Sequence, residues 1–246
     1  MIMANNTLLH FHHEDSLVRS IDGVNPYIVG VDEVGYGAWA GSIVVAAVWI
    51  NRQMISDDFL KELNDSKKLS PKKRNDLCQS FIEHPLWGSY ALAHVPVRDI
   101  IQGLVLKHTL QAMVQAVYCL DGYLSAALPR PLGLDAGSWS EREKGASAYF
   151  LNTITGVVVD GQHSLPVHWA QKSCPGADGQ SYSVALASIV AKVARDDNMR
   201  ILHEENPQYS WDKNKGYGTQ AHQQCISQYG LSQHHRPFYC KRAMGE

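Results

Sequence analysis

Two apolar runs, Val29 to Val31 and Ser42 to Ile50, are β-branched, bounded by glycines and nearly free of polar residues, and they read as strands buried on both faces. A third strand is expected in "GSYALAHVPV", around Tyr90 to Val95. Between the last two, "LSPKKRNDLCQSFIEH" predicts a helix with Ser70 as N-cap, Pro71 in its first turn, and Leu77, Cys78, Phe81 and Ile82 on one face. Ile100, Ile101, Leu104, Met113, Val114 and Val117 recur at helical spacing and predict a long helix from about Val97 to Leu120. "TGVVVDG" (Thr155 to Gly161) is a short buried strand and "PVHWAQK" a candidate fifth one. "SYSVALASIVAKVARDDNMRIL" is a helix with a stripe of Leu186, Ile189, Val190 and Val193. Strands that precede and alternate with helices define an α/β or α+β class built on a mixed sheet, and α/β is the class expected here.

One stretch breaks this rhythm. Residues 121–156 contain "LPRPLGLDAGSWSEREKGAS", rich in Pro, Gly and Ser and longer than an ordinary connection, and are expected to be an insertion. A chain of 246 residues suits one large domain. The net charge of -2 supplies no global attraction to polyanions, so any nucleic-acid site must be local. Five cysteines without CxxC spacing favour reduced thiols and a cytoplasmic protein, and disfavour structural zinc. The longest apolar run, Ile43 to Ile50, is too short to cross a bilayer, so no membrane association is expected. His10, His12, His13 and Glu14 read as part of an exposed N-terminal tail.

Chemistry enters where the strands end. The first runs into Asp32 and Glu33 before a turn containing Gly35 and Gly37, and the later one ends on Asp160 and Gly161. Buried carboxylates are costly without a compensating cation. If the two strands are neighbours, their acids meet at one edge of the sheet. Asp32 and Glu33 alternate in a regular strand, but the Gly35 to Gly37 turn is expected to end the pleat and let both converge. Asp178, in "CPGADGQSY" before the Val184 helix, is a further contributor. Oxygen donors of this kind select Mg²⁺ or Mn²⁺, and a pair of such ions serves phosphoryl transfer. From spacing alone, ordinary strand-end and loop acids remain the plainer reading.

The motifs shift that balance. "GVDEVGYGAWAGSIVVAAV", "LNDSKKLSPKKR", "VVVDGQ", "ASIVAKVARD" and "NKGYGTQAH" resemble, in order, five stretches of the ribonuclease HII (type 2 ribonuclease H) family. The resemblance implies a ribonuclease H-like mixed sheet flanked by helices, with a C-terminal helical extension. It divides the chain into a tail (1–26), a catalytic domain (27–200) interrupted by the insertion, and a substrate-binding extension (201–246). It also implies an endonuclease that cuts the RNA strand of RNA/DNA hybrids, and ribonucleotides embedded in DNA, by a two-metal-ion mechanism serving DNA replication and repair. Asp32, Glu33, Asp160 and Asp178 become catalytic metal ligands by this match, and Asp196 follows the family's Arg-Asp position, which a salt bridge or a cap explains about as well. The alternatives are a hybrid-binding protein with weak or lost catalysis, and a metal nuclease of the same fold acting on another nucleic acid.

For the substrate, the resemblance singles out Gly35, Tyr36, Gly37, Lys67, Lys68 and Tyr217. Glycines let backbone approach a ribose 2′-hydroxyl, and an exposed tyrosine offers a stacking surface. Lys67, Lys68, Lys72, Lys73 and Arg74, with Lys213, Lys215, His234, His235, Arg236, Lys241 and Arg242, are expected to form phosphate-neutralising patches. The family's arginine between the two glycines is Tyr36 here, which removes a bidentate phosphate contact. No partner for the insertion is readable.

Overall fold

The computed structural model describes residues 9–21, 27–125, 134–138 and 153–244. Its centre is a six-stranded mixed sheet. The strands are β1 (Tyr27–Val34), β2 (Ile43–Ile50), β3 (Gly88–Val95), β4 (Leu134–Ser138), β5 (Ile154–Asp160) and β6 (Ala170–Cys174), in the order β4-β3-β2-β1-β5-β6. β1, β2 and β3 form an antiparallel meander, while β5 lies parallel to β1 and β6 parallel to β5.

The continuous apolar run of β2 is explained by helices on both faces. Val45 and Ala47 point into a core shared with Ala112, Met113, Ala116 and Val117 of α4 (Val105–Ser125). Val44, Ala46 and Val48 point the other way, against α3 (Pro71–Glu83) and α5 (Tyr182–Glu205). Ser70 caps α3 by accepting the Lys73 N–H, and Ser181 caps α5 by accepting that of Val184.

Several expectations need correction. The helix foreseen from Val97 begins at Val105, preceded by a separate 3₁₀ turn over Val97–Asp99. Ile100 is drawn into the core, and Gly103 takes φ +84°, which breaks the helical path. The last strand starts at Ala170, four residues into "PVHWAQK". The N-terminal segment forms α1 (His12–Val18), with His13 and Glu14 buried although His10 and His12 are exposed. Glu14 Oε1 accepts the hydroxyls of Ser181 and Ser183, both at 2.6 Å, so the segment is fastened to the start of α5 and is not a loose tail.

α5 runs unbroken through residue 200. After it come three further helices, α6 (Trp211–Asn214), α7 (Gln220–Tyr229) and α8 (Pro237–Met244); α2, earlier in the chain, spans Asp57–Glu62. Of the expected insertion, 126–133 and 139–152 lie outside the described residues. Within it Asp121 continues α4 and accepts the N–H groups of Thr153 and Ile154, closing the entry to β5. No helix among the described residues is long and apolar enough to cross a membrane.

Candidate active site

The parallel register of β1 and β5 pairs Val31 with Val159, so Asp32 and Asp160 emerge side by side at the same end of the sheet. Asp178 arrives from a 3₁₀ turn, Ala177–Gly179, anchored by the Ala177 N–H donating to Asp160 Oδ1 at 2.8 Å. One ligand oxygen from each of Asp32, Asp160 and Asp178 lies within 4.8 Å of the others. Asp32 and Asp178 are buried.

Glu33 does not join this triad. β1 continues regularly to Val34, pairing Asp32 with Ala46 and Glu33 with Val45, so the pleat is not ended by the glycine turn, and Glu33 stands beside the triad and not within it. Glu33 nevertheless feels the cluster. Burial and then Asp160 push its carboxyl up to about 7. Burial, Glu33 and Asp160 hold Asp32 well above the ordinary carboxylate range, and burial with Asp178 raises Asp160. Lys67 reaches the group, its Nζ 3.3 Å from Asp178 Oδ2. One lysine against four acids leaves an excess of negative charge that a divalent cation fits, and an all-oxygen donor set suits a hard one.

The loop carrying Lys67 is fixed from within. Arg74, expected at a phosphate-binding surface, is buried and donates to the carbonyls of Ser66 and Leu69, both at 2.7 Å. Asp196 lies 3.7 Å from Arg74 and 2.7 Å from Lys192, which settles it as a structural ion-pair partner. Ser66 Oγ meets Ser188 Oγ at 2.8 Å, and Ser188 in turn hydrogen-bonds Asp32. Neither serine stands out by spacing; both sit inside motifs read for their charged neighbours. Lys68 is exposed beside this loop.

The Gly35–Gly41 turn and the Tyr217 loop form a second wall. Trp39 and Ala40 donate their N–H groups to the Gly216 carbonyl at 2.7 and 3.1 Å, joining the two. Tyr36 and Gly37 are exposed, Gly35 is buried, and Tyr217 is exposed with Arg195 beneath its ring, 5.4 Å from centroid to guanidinium carbon. Burial, Tyr239 and Glu33 raise the Tyr36 phenol, which places that side chain within electrostatic reach of the acids. His222 Nε2 accepts the Trp211 indole N–H at 3.0 Å, so its proton is on Nδ1 and is donated to the Tyr217 carbonyl at 3.0 Å. His235 Nδ1 accepts the Ser232 N–H, which leaves its Nε2–H for His222 at 3.2 Å. His235 and Arg236 are therefore interior groups and not part of a phosphate patch.

A carboxylate triad at one end of a mixed sheet, beside a glycine turn and an aromatic loop, fits the class of metal-dependent phosphoryl-transfer enzymes. The family model for Ribonuclease HII matches residues 29–124 and 156–242. Ribonuclease HII of Anaplasma phagocytophilum is 37% identical over 227 residues, covering 92% of this chain and 90% of that protein. That of Ehrlichia canis is 36% identical over 226 residues, with 92% and 91% covered. Among solved structures, the ribonuclease HII of Archaeoglobus fulgidus, determined in complex with PCNA, aligns with a TM-score of 0.57 at 20% identity, covering 85% of this chain and 91% of that one. Bst-RNase HIII in complex with Mn²⁺ aligns at 0.65 and 16% identity, with 89% and 70% covered, and supports the fold. The chain belongs to the ribonuclease HII family. Its activity is that of a ribonuclease H, an endoribonuclease acting on RNA/DNA hybrids.

Proposed function

We propose that Asp32, Asp160 and Asp178, with Glu33 beside them, hold two divalent cations, Mg²⁺ or Mn²⁺, and are the catalytic acids. The observation that carries this reading is the meeting of three carboxylates within 4.8 Å at a place where burial and mutual repulsion raise Asp32 and Asp160 above the ordinary carboxylate range. When bound, the cations supply charge that activates a water and stabilises the leaving oxygen. The chain's own groups do the rest. The Ser66–Ser188 hydroxyl pair orients Asp32, the Ala177 N–H orients Asp160, and Lys67 limits repulsion at Asp178.

On the same reading Gly35, Tyr36, Gly37 and Tyr217 face the RNA strand, and Lys67 and Lys68 lie along its phosphates. Residues 27–200 carry the chemistry, and 201–246 complete the substrate wall by packing the Tyr217 loop and the Arg236 segment against the turn. The substrates are then continuous hybrids and DNA containing ribonucleotides. The test is cleavage of matched duplexes carrying one ribonucleotide, several, or a full RNA strand, with Mg²⁺ and with Mn²⁺. Metal-dependent cuts confined to positions bearing a 2′-hydroxyl are expected. Hybrid binding without cleavage, or cutting of all-DNA duplex, overturns the assignment.

A further inference from the structure

Arg236, in the segment entering α8, is fully buried and faces no carboxylate among the described residues. Its guanidinium serves backbone oxygens instead. Nη1 donates to the carbonyls of Gly35 and Tyr36 at 2.8 and 2.9 Å, and Nε and Nη2 donate to that of Gly41 at 3.0 and 2.7 Å. Arg195 does the same from α5, donating to the carbonyls of Ala40, Ser42 and Lys215. It also explains Gly35: at φ +94°, a Cβ there would fall 2.0 Å from Arg195 Nε. Burying a guanidinium without a direct ion pair is costly, and two of them stand behind this turn.

Their geometry shows what they do. Every peptide bond in the described chain is trans, and in a trans peptide the carbonyl and the following N–H point in opposite directions. With the carbonyls of Gly35 and Tyr36 drawn inward onto Arg236, the N–H groups of Tyr36 and Gly37 point outward. Both residues are exposed, and neither N–H has a hydrogen-bond partner among the described residues. A cation on the carbonyl polarises the peptide and strengthens the donor on its far side.

We propose that Arg236 is a positioning residue, which holds the consecutive N–H groups of Tyr36 and Gly37 as a two-donor seat for one acceptor oxygen of the RNA strand, a 2′-hydroxyl or a phosphate oxygen. The inference rests on the reading that this turn faces that strand. It also gives the turn a cationic device although position 36 is tyrosine: the charge lies behind the backbone and acts through it.

The experiment is a cycle combining protein and substrate changes, read as hybrid binding by the full chain carrying Asp160→Asn, so that the strand is not cut. A series of hybrids carries a single 2′-deoxy or a single methylphosphonate substitution, stepped along the RNA strand. At one position the substitution is expected to cost the parent about tenfold in affinity, the value of one hydrogen bond. The same substitution is expected to cost a protein also carrying Arg236→Lys less than about threefold. Coupling to the 2′-deoxy change identifies the hydroxyl, and coupling to the methylphosphonate identifies the phosphate. Additive losses in both series overturn the role of Arg236 while leaving the turn on the strand. A parent indifferent to both substitutions at every position overturns the reading of the turn, and the inference with it. If Arg236→Lys does not fold, Tyr239→Phe carries the same test. It removes a hydroxyl that donates to the Tyr36 carbonyl at 3.3 Å, and it is expected to show a smaller coupling in the same series, its absence counting against the inference.

Discussion

The acid cluster and the unit behind the Gly35–Gly41 turn both bury ionisable groups, and they treat them in opposite ways. Around Asp32, Glu33, Asp160 and Asp178 the groups repel one another, with Lys67 at the margin. Behind the turn, Arg195 and Arg236 are ringed by carbonyls, and His222 and His235 are neutral links in a chain from Ser232 and Trp211 to Tyr217. The first region is left electrostatically incomplete and the second is hydrogen-bonded throughout. The difference marks where an external charge must be supplied and where the protein fixes its own geometry. An unsatisfied cluster binds something, whereas a satisfied network of the same residue types positions something else.

The largest effect that tests this contrast comes from the incomplete side. Asp160→Asn removes a charge from the triad and keeps the oxygen that accepts the Ala177 N–H. Hydrolysis is expected to fall on the order of a thousandfold or more, since metal charge balance fails. The metal-free melting temperature should hold or rise, because repulsion is relieved. A folded variant with undiminished turnover at saturating metal would remove the basis of the comparison, and a fall of many degrees in melting temperature would recast Asp160 as a structural residue.

On the satisfied side the signs reverse. His222→Ala leaves the Trp211 indole N–H and the His235 Nε2–H without their shared acceptor and opens a cavity among Tyr209, Trp211 and His235. A loss of about 2–4 kcal/mol in stability is expected from chemical denaturation. Hydrolysis measured below the new melting point should weaken through KM for the hybrid, because Tyr217 loses the donor on its carbonyl. A stable variant with raised kcat and unchanged KM would show that the network does not support the substrate wall.

How far each region was legible follows from the same physics. Strand-ending acids stand out because charge is rare beside β-branched runs, so Asp32, Glu33 and Asp160 could be picked from the chain, and the sheet register then brought two of them together. That Glu33 stands beside the triad and not within it was not legible, since its place depends on how β1 continues past Asp32. Arg74, His235 and Arg236 sit in basic runs that read as surface. Only the tertiary structure shows that backbone carbonyls, which carry no sequence signal, solvate them. Ser66 and Ser188, hydroxyls of ordinary helix and loop composition, were invisible for the same reason.

Tyr36→Arg probes the border between the two regions. Its side chain is exposed, within reach of Glu33, and stands on the peptide that Arg236 orients. An added guanidinium on the outer face should raise cleavage at a single embedded ribonucleotide relative to continuous hybrid by about tenfold, the value of one charge-assisted hydrogen bond at an exposed position. The ratio between substrates controls for metal occupancy. An unchanged ratio would show that the buried arginines already supply what the turn needs.

The smallest effect is the most direct comparison, because pH should move the two regions in opposite directions. Glu33 is raised from 4.5 to about 7 by burial and Asp160, and Asp32 and Asp160 are raised as well, so between about pH 4.5 and 7 the folded protein holds more protons here than the unfolded chain. Stability from this region is therefore present below pH 4.5 and is lost as pH rises towards 7. His235 is lowered from 6.5 to about 4 by burial and His222, and His222 is lowered by burial, so the unfolded chain holds more protons there between about pH 4 and 6.5. That contribution is present above pH 6.5 and is lost as pH falls towards 4. In the metal-free protein the two slopes oppose, and the melting temperature should change little between pH 5 and 6.5 before declining towards 7. Mg²⁺ displaces the protons of the acid cluster and should expose the histidine slope alone, so that the loaded protein gains stability steadily from pH 5 to 6.5. Charge-neutral replacement of Asp32, Glu33 and Asp160 together should give the same rising profile without metal. Parallel profiles for metal-free wild type and the triple variant would mean that the carboxylates do not share a desolvated site, and the contrast between the two regions would fail at its acid end.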